Sequence, residues 1–124
     1  MSKAEVKRFF EDADAASQTL SEYVISSKDE WFVDDEELNI LRCAAYAHGI
    51  EDCWDDLTTD ERTNFFHVVE KAITTKEPAD EQDNLATIWC TGFLEALNVS
   101  NEAILEFLGP ESLKYTSSFH GLNN

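Results

Sequence analysis

Two pairs in the sequence have the spacing of metal ligands. His48-Gly-Ile-Glu51 and His67-Val-Val-Glu70 each set an imidazole and a carboxylate at i and i+3, on one face if the backbone is helical there. Brought together they would make the halves of one site. A di-iron bundle, however, needs Glu-x-x-His on two helices and a further Glu from each of two others, and here the order within each pair is reversed. Asp52, Asp55, Asp56 and Asp60 raise the question of calcium. A loop counted from Asp52 has Leu57 at the position of the sixth-place glycine and Thr63 at that of the twelfth-place Glu, so it is not an EF-hand. Cys43, Cys53 and Cys90 show no Cys-x-x-Cys spacing and read as buried free thiols. There is no Gly-x-Ser-x-Gly elbow, no phosphate-cradling glycine loop and no cysteine in an evident basic setting. The expectation is a chain that is not an enzyme and carries neither metal nor other cofactor.

The elements that position these residues read as helices. Ser2 and Glu5 have capping-box spacing, and Val6, Phe9, Phe10, Ala13, Ala16, Leu20, Tyr23 and Val24 follow in three- and four-residue steps, predicting one long amphipathic helix. A loop from Ser26 to Val33 holds Trp31 and Phe32. A second helix is predicted from near Asp34, with Leu38, Leu41, Ala45 and His48 in register and Gly49 as its stop. Ile50, Cys53, Trp54 and Leu57 suggest a short helical turn, and Thr58 pairs with Glu61 as a capping box opening a third major helix striped by Phe65, Phe66, Val69, Ala72 and Ile73. The polar stretch from Thr74 to Asp83, broken by Pro78, reads as the longest loop. Leu85, Ile88, Trp89, Phe93, Ala96 and Leu97 mark another helix. Ser100 is placed to cap a short one through Leu108, closed by Gly109, and Pro110 to open a last turn at Ser112 to Tyr115. The tail after about residue 116 is expected to fray. Sustained apolar-polar alternation and hairpin dipeptides are absent. The predicted fold is all-α: residues 1–124 as a single orthogonal helical bundle of about five to six helices.

Composition narrows the class of partner. The 124 residues suffice for one core, and eight Phe, three Tyr and three Trp set the chain apart from a disordered acidic tail. Against 26 Asp and Glu stand only 9 Lys and Arg, for a formal net charge of -17. Direct nucleic-acid binding is disfavoured, because the one dense basic group, Lys3, Lys7 and Arg8, is interrupted by Glu5 and followed by Glu11 and Asp12. Self-repulsion favours a monomer. No apolar run precedes the charged start and none approaches a membrane span, which points to a cytoplasmic chain without membrane contact.

The acids are unevenly placed. Between Asp29 and Glu61 twelve acids face Arg42 as the only base. Asp34, Asp35, Glu36 and Glu37, like Asp60 and Glu61, stand at predicted helix starts, where the helix dipole alone would favour them. Glu51, Asp52, Asp55 and Asp56 flank Trp54 on an element too short for that explanation. These residues form the predicted partner-binding patch, with Trp54, and Trp31 beside it, as aromatic anchors for a basic protein; the same rings could instead be core.

In size, helical pattern and acidic belt, and in the segments Trp54-Asp55-Asp56-Leu57 and Phe93-Leu94-Glu95-Ala96-Leu97 through Leu108-Gly109-Pro110-Glu111, the chain resembles the small immunity proteins of bacterial toxin-immunity systems, including contact-dependent growth inhibition. The resemblance implies a cytoplasmic, cofactor-free inhibitor that neutralises a cognate toxin, often a cationic nuclease, by covering its active site or a neighbouring exosite. Two other readings remain: a phage-type acidic mimic of DNA that inhibits a restriction or CRISPR complex, and a helical metal-binding protein in which His48, Glu51, His67 and Glu70 converge.

Overall fold

A computed structural model describes residues 3–26, 39–75 and 85–122. The fold is all-α, and among the described residues there is no strand. The starting Ser2, the loop carrying Trp31 and Phe32, the helix start at Asp34 and the loop around Pro78 lie outside them.

The long first helix predicted by the apolar steps is divided. α1 spans Lys3–Ala16 and α2 spans Gln18–Ser26, with Ser17 between them. The serine hydroxyl accepts the Leu20 backbone N–H at 3.2 Å and donates to Glu61 Oε2 at 2.6 Å. It thereby caps the new helix, which periodicity alone does not register.

α3 runs Asn39–Cys53, straight through the predicted stop at Gly49. The reason is steric, for a Cβ at Gly49 would come within 3.0 Å of Tyr23 Cδ1 and 3.1 Å of Leu20 Cδ2. Glycine here lets α2 lie close on α3, and has no helix-ending role. A 3-10 turn, Trp54–Asp56, follows, and then α4, Thr59–Thr74, opened by the predicted capping box of Thr58 and Glu61.

α5, Leu85–Trp89, continues into a π-helical turn, Cys90–Leu94. α6, Glu102–Leu105, is capped by Asn101, whose side chain accepts the Ala103 N–H; Ser100, the predicted cap, is one residue early. α7 spans Pro110–His120 with Pro110 in its first turn, as expected from its fixed φ. The predicted fraying after residue 116 is not found: Thr116 is fully buried, and the helix ends at Gly121 in the left-handed conformation, with Leu122 N–H reaching Ser117 O at 2.9 Å. The division at Ser17 and this longer last helix bring the α-helices among the described residues to seven, against the predicted five to six.

The core sits where α3, α4, α5 and the π turn meet. Tyr46, Phe65, Trp89 and Phe93 are wholly buried there, with ring centroids 5.5 to 6.3 Å apart. α1 closes one side against α4, burying Phe9, Phe10 and Ala13, with the Phe10 ring meeting Tyr46 and Trp89, and α7 packs on α4 and the π turn. Each such aromatic contributes about 1.5–3 kcal/mol by leaving water. No helix among the described residues is long and apolar enough to cross a membrane.

Candidate protein-binding face

The corner between α3 and α4 sorts its residues by polarity. Ile50, Trp54 and Leu57 turn inward at 0%, 7% and 4% exposure, which leaves Glu51, Asp52, Asp55, Asp56 and Asp60 exposed around them. Four of the six positions from Glu51 to Asp56 are therefore carboxylates on the outer side of one turn. Exposed acids occur elsewhere, Glu11 and Asp12 on α1 or Glu111 on α7 among them, but no other described stretch is as dense.

Two of these carboxylates are fixed from neighbouring elements. Tyr23 Oη donates to Asp52 Oδ2 at 2.6 Å, and Asn98 Nδ2 donates to Glu51 Oε1 at 3.1 Å. Asp55 and Asp56 have no ion pair or hydrogen-bonded side chain among the described residues. The arginines nearest in sequence are turned the other way. Arg62 lies 4.0 Å over the Trp54 ring and donates to the Trp54 carbonyl, while Arg42 lies 4.6 Å over Phe10 and pairs with Asp14 at 3.3 Å. Both are half-buried against aromatic rings, and among the described residues neither pairs with a carboxylate of the corner, whose four acids outnumber them. The Cys53 thiol registers that field, its pKa raised by burial and then by Asp56 and Asp52.

Trp54 corrects the sequence reading. Its ring packs edge-on against Phe66 and Phe107 at 6.4 and 5.4 Å and is covered by Arg62, so it belongs to the core and cannot serve as an exposed anchor. Of the other predicted contact residues, Glu51, Asp52, Asp55 and Asp56 are brought together at the corner. Trp31, Asp34, Asp35, Glu36 and Glu37 lie outside the described residues.

The pairs with metal-ligand spacing do not converge. Glu51 accepts from Asn98, Glu70 is bound to the start of α7, and among the described residues no group of three or more His, Cys, Asp or Glu could hold an ion. The thiols are poorly disposed to nucleophilic work, because burial pushes Cys43 well up and Cys90 up to about 11.

One exposed aromatic escaped the sequence reading. Phe119, 52% exposed, stacks on Tyr115 near the end of α7, and Tyr115 donates its hydroxyl to Glu95. The signal was the step from Ser112 through Tyr115 and Thr116 to Phe119, which continues the helical period past the point where fraying was predicted.

Comparison with family models, with curated proteins and with solved structures finds no match for this chain.

Proposed function

We propose that this chain is a non-enzymatic inhibitor that binds a basic protein through the carboxylates of the α3–α4 corner, acting in the cytoplasm as an immunity protein against a cationic nuclease toxin. The observation that carries the reading is the dense exposed run Glu51, Asp52, Asp55 and Asp56, with Arg42 stacked on Phe10 and Arg62 on Trp54 rather than paired with those carboxylates. A nuclease has to present a positive surface to phosphate. A compact negative corner competes for that surface with the same sign of charge, and its long-range field speeds encounter.

The test is co-expression with a nuclease toxin domain, sought first among the genes adjacent to this one. The wild-type chain restores growth and binds the purified domain with a rate that falls steeply as salt rises. Replacing both Asp55 and Asp56 by Lys slows association by about tenfold or more at low salt and flattens the salt dependence. An unaltered rate in that variant would remove the corner from the interface, and failure to protect would remove the immunity role.

A further inference from the structure

Loss of Trp54 to the core leaves the acidic corner without an aromatic anchor, and α7 supplies another. Phe119 exposes half its surface, yet it is not loose. Tyr115 lies parallel to it, 3° between planes and 6.4 Å between centroids, and the His120 ring meets it edge-on at 4.9 Å. His120 is in turn held with Nε2 3.0 Å from the Leu94 carbonyl, and Tyr115 by Glu95. A ring ordered before binding loses little conformational freedom on contact, which is the property of an anchor.

We propose that the Tyr115–Phe119 face of α7, with Glu95 at its edge, docks an arginine side chain of a basic protein partner, the guanidinium lying on the exposed Phe119 ring within the field of Glu95. The inference rests on the proposed inhibitor function and adds a second contact to it. Charge complementarity selects the occupant. The net charge is -17, so a second copy would bring like charge to like, and an anionic membrane would be repelled in the same way. A cationic partner is attracted. Arginine is favoured over lysine because its flat, weakly hydrated head stacks on an aromatic face while its edge pairs with a carboxylate. The segment Glu95–Asn98 reaches both places. Asn98, which holds Glu51, follows Glu95 by one turn of chain, and Glu95 holds Tyr115, so one partner surface can span both contacts.

The experiment titrates the isotope-labelled full chain with capped hexa-arginine and hexa-lysine peptides, followed by nuclear magnetic resonance. Hexa-arginine is expected to bind about five- to tenfold more tightly and to shift the signals of Tyr115, Phe119 and His120. Phe119→Ala and Phe119→Leu should each reduce hexa-arginine affinity to that of hexa-lysine, the leucine variant separating ring electrons from apolar area. Equal affinities untouched by either substitution would overturn the arginine site. In that event weakening of both peptides by Lys at Asp55 and Asp56 would still uphold the corner; loss of arginine preference at Phe119 without any effect at Asp55 and Asp56 would uphold this site and reject the corner. A dimer in sedimentation, or capture on phosphatidylcholine vesicles, that disappears in Phe119→Ala would also overturn it, in favour of a second copy or a lipid surface.

Discussion

Glu70 on α4 caps the N-terminus of α7 through Ser112: its Oε1 accepts the Ser112 backbone N–H at 2.9 Å and the Ser112 hydroxyl at 2.8 Å, while Oε2 accepts the Glu111 N–H at 3.1 Å. A carboxylate so placed satisfies free helix-end donors and lies at the positive end of the helix dipole. It also joins residues 42 apart in sequence.

Removing that carboxylate leaves Ser112, 1% exposed, with unpartnered donors. Glu70→Ala should therefore destabilise the fold by about 2 kcal/mol, read as a lowered urea midpoint. Gly109→Ala should do similar harm, because its Cβ would fall 2.4 Å from Glu70 Oε1 and displace it. The two effects share one cause, so the double variant should cost little more than either alone. Full additivity would show that Gly109 acts independently of the cap.

Acid should loosen the junction of α2 and α4. The Ser17 hydroxyl bonded to Glu61, helped by Thr58, holds the Glu61 carboxyl below its usual range. A lowered folded-state value means a stabilising contribution that is complete above the unfolded value of about 4.3 and is lost as pH falls from there through the folded value. Ser17→Ala should reduce stability at neutral pH and make the decline below about pH 4.5 shallower. Thermal midpoints across that range would show it, and a decline as steep as in wild type would reject the linkage.

Arg62 is expected to matter more for folding than for the surface. Arg62→Ala uncovers Trp54 and leaves its carbonyl with the Leu57 N–H alone, which should cost about 1–2 kcal/mol. Lysine at the same position keeps the charge but loses the flat stacking head, and should recover less than half of that loss in chemical denaturation.

Thiol labelling offers a separate check on burial. At pH 7.5 a Cys90 thiol with a pKa of about 11 carries about a hundredfold less thiolate than one at the ordinary value of 9.0. Iodoacetamide should modify the native protein slowly at Cys90, hardly at all at fully buried Cys43, and at all three cysteines once urea unfolds the chain. Rapid alkylation of Cys43 or Cys90 in the native protein, located by peptide mass spectrometry, would contradict the packing described.

The helices were legible wherever one local signal decided the matter. Thr58 with Glu61, Pro110, and the stripe Phe65, Phe66, Val69 and Ala72 all stand where capping and periodicity put them. What escaped depends on contacts between distant residues. Gly49 ends a helix by local rules, but here it accommodates Leu20 and Tyr23; Ser17 looks neutral until Glu61 is beside it. At the acidic corner the carboxylates could be located from charge density, because exposed acids need no partner. The role of Trp54 could not, since that depended on Arg62 arriving over its ring. Tyr115 and Phe119 were hidden behind a helix read as too short.

The π-helical turn at Cys90–Leu94, closed by Glu95 N–H on Cys90 O at 3.0 Å, accommodates one residue more than an α turn. Everything downstream leaves it rotated by roughly 100° from the direction an unbroken α-helix would impose. A lineage that deleted a single residue there would retain Trp89 in its place but swing Glu95 and Asn98 away from Tyr115 and Glu51. One-codon length differences at this point would thus re-aim the outer surface of the molecule and, with it, the buried Phe93, Leu94 and Leu97, so such a change needs compensation in the core.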